Sequence, residues 1–207
     1  MRVISGEKKG IGLKAVPGKN TRPTTDKVKE SIFNMLGQYF ESGIVLDLFA
    51  GSGGLGIEAL SRGMQRGIFI DRDAQAIAAI QENLKRTDLI PYAEVYRRDY
   101  MQALRTLKRR EIRFDLVLLD PPYKDGVIEK IMHILMHYNL IQFGGRVVAE
   151  HHKNMSLPKK IGYFQQVKME NYGICSVQIY GRIMGNEQCK KLQFVPGHLI
   201  RLQTVIW

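Results

Sequence analysis

Cysteine is scarce in this chain, and long apolar runs are missing. Two cysteines, Cys175 and Cys189, stand among 207 residues, which is too few for a disulfide framework or a zinc site. No run of about eighteen apolar residues occurs, so no transmembrane helix is expected. The basic N-terminus also lacks the apolar stretch of a secretory signal. These absences predict a cytoplasmic protein.

Acidic residues are outnumbered by basic ones. Lysine and arginine total 31 against 20 aspartate and glutamate, which gives a formal net charge of +11. Hydrophobic residues make up 44% and charged residues 25% of the chain, a globular composition that argues against disorder throughout. The length fits one domain with at most a small appendage. The basic excess favours a polyanion such as nucleic acid; a solvated, soluble surface is the alternative.

The excess charge lies in two places. Residues 1–30 hold eight basic and three acidic residues, and a second cluster, residues 105–113, holds five basic residues and one acid. In the first region, short β-prone pieces separated by glycines predict a hairpin. The candidate nucleic-acid contacts on this basic segment are Arg2, Lys8, Lys9, Lys14 and Lys19.

Strand and helix patterns alternate from residue 44 onward. Strands are predicted at 44–49, 67–70, 93–96, 114–119 and 145–150, and helices at 55–62, 74–86, 100–108 and 127–138. A further helix is predicted to begin near Asp26. Such alternation predicts a parallel sheet with helices on both faces, closed by two antiparallel strands around Gly173. The predicted fold class is α/β, Rossmann-like, with a seven-stranded, mostly parallel sheet and a small N-terminal β-hairpin.

A glycine-rich loop follows the first predicted strand. It reads Asp47-Leu48-Phe49-Ala50-Gly51-Ser52-Gly53-Gly54-Leu55-Gly56. Gly51 and Gly53 allow a ligand to approach the backbone, although the glycine spacing alone is weak evidence for a dinucleotide. Asp47 would repel a pyrophosphate and attract an ammonium group. The loop therefore suits the amino-acid end of S-adenosylmethionine (AdoMet) better than NAD.

Acidic residues also end the next two strands. Asp71 can accept hydrogen bonds from both hydroxyls of an adenosine ribose, which does not separate AdoMet from NAD. Asp73, two residues later, is the competing candidate. Arg98-Asp99 follows the third strand, and Asp99 can accept from an adenine amino group; an ordinary surface-loop acid is the alternative.

The motif Asp120-Pro121-Pro122-Tyr123 follows the buried strand at 114–119. Two prolines fix the backbone and remove two N–H donors, which leaves the Asp120 carboxylate and the Pro121 carbonyl as rigid acceptors. These acceptors beside the Tyr123 ring would receive an aryl amino group, with the base stacked on the ring. In-line methyl transfer depends on positioning rather than on a strong base. The motif therefore predicts amino-group methylation.

Histidines give weaker signals. His133 and His137 have the i, i+4 spacing of a metal site, but no third ligand stands out, so no metal is predicted. Glu150-His151-His152 follows the fifth strand and is expected to have a structural or substrate-contact role.

The chain resembles class I AdoMet-dependent amino-methyltransferases. The resemblance lies in three motifs that occur in this order: the loop DLFAGSGGLG, the acid of FIDRD and DPPY. The leading segment, RVISG followed by NTRPTTDKVKE, is similar to the bacterial RsmD family, and the likeness covers about residues 1–183. The resemblance implies AdoMet as methyl donor and the N2 amino group of a guanine in 16S ribosomal RNA as acceptor. It further implies a 30S subunit or assembly intermediate as partner, and no metal. A monomer is expected.

The resemblance also implies roles for individual residues. The residues expected to bind AdoMet are Asp47, Phe49, Gly51, Gly53, Gly56, Asp71, Arg98 and Asp99, with Arg22 and Thr24 packed alongside Pro23 over the pocket. The expected catalytic group, which would hold the guanine amino nitrogen, is Asp120, Pro121, Pro122 and Tyr123.

Three segments are expected: a basic hairpin at 1–25, a methyltransferase domain at 26–183 and an atypical tail at 184–207. Residues 192–207 can be back-translated so that a shifted frame reads AVCPGSFDPVTNGHL, similar to the start of phosphopantetheine adenylyltransferase. The tail is therefore expected to be disordered or a frameshift product. Two other functions stay open. A DNA adenine or cytosine amino-methyltransferase would need a target-recognition insertion, for which 207 residues leave no room. A non-catalytic RNA-binding assembly protein would not need an intact DPPY.

Overall fold

Eight strands form one sheet in the computed structural model of the protein, which describes residues 1–17, 26–122 and 126–183. The strands are β1 (Ile44–Asp47), β2 (Arg66–Asp71), β3 (Ala93–Arg97), β4 (Phe114–Leu119), β5 (Ile141–His152), β6 (Lys160–Ile161), β7 (Phe164–Tyr172) and β8 (Cys175–Arg182). The α-helices are α1 (Asp26–Leu36), α2 (Gly54–Ser61), α3 (Ala74–Arg86), α4 (Tyr100–Arg109) and α5 (Val127–His137).

The strand order is β3-β2-β1-β4-β5-β8-β7-β6. Strands β1 to β5 run parallel, and β8, β7 and β6 continue the sheet as antiparallel neighbours. The predicted Rossmann-like fold is confirmed, with eight strands in place of seven. The additional strand, β6, has only two residues, and so short a strand shows no alternation that a sequence pattern could reveal.

Strand β5 begins earlier than predicted. It starts at Ile141 rather than at Gly145, and its pairing with β4 shifts register between Phe114 and Leu116. Gly144, at φ 76°, lies at this irregularity. The two glycines therefore form a bulge inside one strand, whereas in the sequence they resemble a break before it.

The helices cover both faces of the sheet. One buried cluster contains residues of α1, α2 and α3, and the other contains residues of α4 and α5. In α3 the inward side chains include Ile80 and Leu84, and in α4 they include Leu104 and Leu107. Since parallel strands end at a common edge, the carboxyl ends of β1, β2 and β4 lie together, as ligand sites in open α/β sheets require.

The predicted N-terminal hairpin is present in a minimal form. Arg2 and Gly12 make one antiparallel bridge, and the Val3 N–H donates to the Ile11 carbonyl at 3.0 Å. The side chains of Val3 and Leu13 are buried in the cluster beneath. The hairpin is therefore packed onto the protein by apolar contacts, although its own ladder is short.

A buried carboxylate fixes this hairpin to α2. Glu58 is fully buried, and its oxygens accept hydrogen bonds from the Ile4 and Ser5 N–H groups at 2.8 and 3.0 Å. The Arg62 Nε lies 2.8 Å and the Lys29 Nζ 3.4 Å from its oxygens. Burial lowers the pKa of Lys29, and the Glu58 charge opposes that shift. The Glu58 carboxylate thus pairs with two cations and accepts hydrogen bonds from two backbone N–H groups.

Changing Glu58 to Gln is expected to destabilise the protein by about 3–5 kcal/mol, because it leaves buried cations without a counter-charge. Equilibrium urea unfolding measures this. The matched control is Glu82→Gln, which removes an exposed acid of α3 that pairs with Lys14 and Arg86 and is expected to have little effect. Equal losses in the two variants would contradict the buried network as a source of stability.

Along the described part of the chain, no helix combines the length and the apolar character needed to cross a lipid bilayer.

Candidate active site

Asp47 ends β1 as a buried carboxyl group that is 4% exposed. Its Oδ2 accepts a hydrogen bond from the Gly56 N–H at 3.0 Å, in the first turns of α2. Burial raises the pKa of Asp47 to about 7; the Gly56 hydrogen bond opposes this shift, and the charge of Asp71 adds to it. A cation placed beside Asp47 would therefore relieve an unfavourable charge.

The glycine loop between β1 and α2 uses left-handed backbone. Gly51 has φ 54° and Gly53, the N-cap of α2, has φ 79°, conformations that favour glycine. A Cβ at Gly51 would meet no atom within 4 Å. The backbone here is open to a ligand.

Gly56 has a different role from Gly51. A Cβ at Gly56 would lie 2.3 Å from the Phe69 ring, so the close packing of α2 on β2 requires glycine there. Its N–H donates a hydrogen bond to the Asp47 carboxyl group. The role of Gly56 as a cofactor contact stays a prediction. In the structure Gly56 packs the helix against the sheet.

Asp71 holds the glycine loop against β2. Its Oδ2 accepts from the Gly51 N–H and its Oδ1 from the Asp73 N–H, both at 2.9 Å. Asp73, the competing candidate, caps α3 by accepting from the Gln75 N–H at 2.9 Å. Asp71 is therefore next to the open loop, while Asp73 has a helix-capping function.

Asp99 and its neighbour lie at the end of β3. Asp99 is exposed and caps α4, where it accepts from the Met101 N–H at 2.8 Å. The Arg98 N–H donates to the Asp71 carbonyl at 2.9 Å. The predicted adenine contact thus coincides with a helix cap, and these two functions use the same carboxylate.

Asp120 lies at the end of β4 within an acidic group. Burial raises the pKa of Asp120 well above its usual range, and the charges of Glu150 and Asp47 raise it further. Pro121 is buried and Pro122 exposed. Glu150, which is 7% exposed, belongs to the run Glu150-His151-His152 for which a structural or substrate-contact role is predicted. Its approach to Asp120 follows from the pairing of Ala149 with Leu119 in β4.

Four other predicted site residues fall outside the described ranges: Lys19, Arg22, Thr24 and Tyr123. Phe49 is within them; it is half-buried, and its ring centroid lies 5.6 Å from that of Tyr100. His133 and His137 are exposed, and His133 lies 3.8 Å from Glu129. Within the described ranges, no group of three or more potential ligands could hold a metal ion.

Three basic residues of the hairpin contact three different helices. Lys8 donates its N–H to the Ser61 Oγ at 3.0 Å, at the end of α2 remote from the glycine loop. Lys14 lies beside Asn83, whose side chain contacts the loop. Helix α2 has eight residues and is therefore about 12 Å long. Its last residue, Ser61, lies about that far from the glycine loop. The side chain of Arg2 lies 3.7 Å from Asp26, and that of Lys14 pairs with Glu82.

The second basic cluster, residues 105–113, lies elsewhere. It occupies the last turns of α4 and the turn before β4, at the edge of the sheet opposite Asp47 and Asp120. Lys108 Nζ lies 4.7 Å from the centre of the Tyr138 ring. Because β4 has six residues and rises about 3.3 Å per residue, this cluster is well separated from the candidate site.

The parallel strand order, the glycine loop after β1 and the acids at the adjoining strand ends define a class I methyltransferase. The chain belongs to the family described as "Conserved hypothetical protein 95", whose model matches residues 1–181. This confirms the resemblance to the RsmD family.

Bacterial relatives agree with this assignment. YlbH of Bacillus subtilis is 52% identical over 180 residues, which cover 87% of this chain and 98% of that protein. "Ribosomal RNA small subunit methyltransferase D" of Haemophilus influenzae is 31% identical over 181 residues, which cover 87% and 93%. A solved structure titled "conserved hypothetical protein" from Streptococcus pyogenes has a TM-score of 0.72 and 40% identity, covering 75% of this chain and 96% of that one.

Proposed function

We propose that this protein transfers the methyl group of AdoMet to the exocyclic N2 amino group of a guanine in 16S ribosomal RNA. The acceptor is the 30S subunit or its assembly intermediate, the protein acts as a monomer, and it works in the cytoplasm. The observation that carries this proposal is the acidic group of Asp47, Asp120 and Glu150 beside an open glycine loop. The name of the Haemophilus influenzae relative supports ribosomal RNA as the substrate.

The residues around the loop fit a cationic cofactor. Asp47 is buried with a raised pKa, which is the condition of a carboxyl group that lacks a nearby positive charge. We assign it to the ammonium group of the cofactor, with the backbone of Gly51 and Gly53 against the amino-acid portion. Asp71 is assigned to the ribose hydroxyls and Asp99 to the adenine amino group. Bound AdoMet supplies an electrophilic methyl group on a positively charged sulfur.

The DPPY motif is assigned to the guanine. The Asp120 carboxylate and the Pro121 carbonyl accept the two hydrogens of the amino group, and the Tyr123 ring stacks on the base. Holding the hydrogens in this way directs the nitrogen lone pair at the methyl group, which is the positioning that in-line transfer needs. The nitrogen would gain positive charge as its bond to the methyl carbon forms and the bond from that carbon to the cofactor sulfur breaks, which leaves neutral S-adenosylhomocysteine. Asp120 and Glu150 stabilise that charge, and Asp120 accepts the released proton.

A labelling experiment tests the proposal. The protein is incubated with methyl-tritiated AdoMet and, in parallel, with 30S subunits, free 16S ribosomal RNA or duplex DNA, and the labelled product is digested to nucleosides. We expect label in 30S subunits or 16S RNA, and we expect it to migrate as N2-methylguanosine. Label in DNA, or in another nucleoside, would overturn the substrate assignment. A protein that binds the RNA but transfers no methyl group would be the non-catalytic assembly factor.

Binding to the RNA substrate is expected to weaken steeply with salt, since lysine–phosphate contacts release counterions. Reversing the charges of Lys8, Lys9 and Lys14 to Glu should lower the slope of log K against log [salt] by about one for each of these lysines that pairs with a phosphate. AdoMet affinity measured without RNA should not change. The measurement is a filter-binding titration at several salt concentrations.

The matched control reverses three charges on the other face of the sheet, where α4 packs. Arg105, Lys108 and Arg109 are exposed on α4, and their change to Glu alters the net charge equally. If the hairpin holds the RNA, this control keeps a salt slope close to that of the wild type. An equal decrease in both triple variants would show that net charge, and not the hairpin, determines binding.

A further inference from the structure

The side chain of Asn83 joins the N-terminal segment to the glycine loop. It projects from α3 and is fully buried. Its Oδ1 accepts from the Lys14 N–H at 2.8 Å, and its Nδ2 donates to the Lys14 carbonyl at 2.9 Å and to the Ser52 carbonyl at 2.9 Å. Both hydrogens of the amide are therefore used, one on the N-terminal segment and one on the loop.

These bonds fix one peptide unit of the loop. The Ser52 carbonyl and the Gly53 N–H belong to the same planar group. Asn83 holds the carbonyl end, and the Ala50 carbonyl accepts from the Gly53 N–H at 2.6 Å at the other end. The orientation of this unit, which lies between the two left-handed glycines, thus depends on Asn83.

A second contact joins the same two parts of the molecule. The Met1 Sδ lies 4.0 Å from the Ser52 Oγ, and a Cβ at Gly54 would come within 2.8 Å of that sulfur. The Leu13 N–H donates to the Met1 carbonyl at 2.9 Å. Both ends of the hairpin therefore touch the loop or the amide that holds it.

We infer that Asn83 is a positioning residue through which cofactor binding at the glycine loop and RNA binding at the N-terminal hairpin strengthen each other. The inference rests on the proposed function. Each ligand binds the arrangement in which the hairpin is docked and the Ser52–Gly53 peptide is fixed. A ligand that favours this arrangement lowers the cost of binding the other. The effect is reciprocal, and typical couplings change affinity by about 5- to 150-fold.

The test measures affinity for S-adenosylhomocysteine, which permits no turnover, by calorimetry with and without saturating 30S subunits. We expect the wild type to bind it at least about 5-fold more tightly when the subunits are present. The quantity compared is the ratio of the affinity with subunits to the affinity without them. The change Asn83→Ala should bring this ratio close to one. Asn83→Asp, which keeps an acceptor for Lys14 but loses both donors, should reduce it. Thermal melting of each variant shows that it is folded.

The ratio separates coupling from simple structural damage. A variant that only weakens the fold lowers affinity in both conditions and leaves the ratio unchanged. Asn171→Ala is the matched control, because this amide bonds with Ser176 in the β7–β8 hairpin, and we expect it to keep the wild-type ratio. Methyl transfer is assayed on the same preparations.

Three outcomes would overturn the inference. A wild type that methylates 30S subunits but shows a ratio of one has the proposed function without the coupling. If the Asn83→Ala protein is folded and keeps the wild-type ratio, the coupling does not depend on Asn83. A wild type that neither binds nor methylates the subunits overturns the proposed function as well.

Discussion

Replacing Asp120 by alanine is expected to lower the rate of methyl transfer to 30S subunits by about 10²–10³, the typical cost of losing one positioned group at a reacting centre. AdoMet affinity should change little, since Asp120 is assigned to the amino group. Burial and the charges of Glu150 and Asp47 already disfavour its ionised form. The free energy of unfolding is therefore not expected to fall. Single-turnover kinetics and thermal melting measure these quantities separately.

The control for Asp120 is another acid of the same region. Asp115 in β4 accepts from the Ile44 N–H at 2.8 Å, at the other end of the strand, so Asp115→Ala should lower stability and leave the rate per folded molecule intact. If Asp-Pro-Pro-Tyr were only a rigid turn, Asp120→Ala would lose stability and activity together. A folded Asp120→Ala protein with the wild-type rate would refute the assigned role.

Tyr123 should separate substrate binding from the chemical step. Loss of its ring in Tyr123→Ala is expected to weaken productive binding by roughly 1–3 kcal/mol. Tyr123→Phe should restore much of this, because stacking uses the ring face and not the hydroxyl. The KM for 30S subunits is the readout, and a failure of Phe to rescue would indicate that the hydroxyl matters.

The change Asp47→Asn is expected to weaken AdoMet binding by about 10- to 150-fold, the equivalent of one hydrogen bond to a charged group. The mutation keeps the size of the side chain and removes its charge. Asp73→Asn is the matched control, since it makes the same chemical change two residues after Asp71 and asparagine still caps α3. Calorimetry should show weaker binding in the first variant only. Equal affinities in both would remove Asp47 from the cofactor site.

Asp47 should also give AdoMet binding a dependence on pH. Its pKa is about 7 in the free protein against an ordinary 3.8, and a bound ammonium group would lower it. Binding near pH 6 should therefore release close to one proton, and affinity should rise with pH until about pH 7. Calorimetry in two buffers of different ionisation enthalpy counts the proton. Asp47→Asn should release none, and a wild type that releases none would contradict the assignment.

Ionisation of Asp47 should also make the free energy of unfolding depend on pH. Between pH 4 and 7 the unfolded chain carries an ionised Asp47, while the folded chain holds it protonated, so the folded state binds more protons. Stability of the cofactor-free protein should therefore fall as pH rises through this window. It should change less in Asp47→Asn, as measured by urea unfolding at several pH values.

Local patterns are enough to predict much of the fold. The predicted bounds of helix α3 match the observed ones, Ala74–Arg86, because its apolar spacing is helical. Strand β4 is predicted equally well because Phe114–Leu119 is a short buried run. The bulge at Gly144 escapes prediction, since glycines that bend a strand resemble glycines that end one.

The unpredicted parts of the candidate site depend on contacts between distant residues. Glu150 approaches Asp120 only because β4 and β5 pair Leu119 with Ala149. Asn83 meets Lys14 across 69 positions of the chain. No periodicity or motif records such a pairing. The roles assigned to Asp47, Asp71, Asp99, Asp120 and the basic residues remain predictions.

Helix α2 is buried over all eight of its residues, Gly54–Ser61, because the sheet lies on one side and the N-terminal hairpin on the other. A helix this short is not stable by itself, and neither is a single two-stranded hairpin. Each acquires its order from the other and from the sheet. The hairpin, α2 and the glycine loop are therefore expected to form one cooperative unit of folding, so that local opening of the hairpin would disorder the loop at the same time.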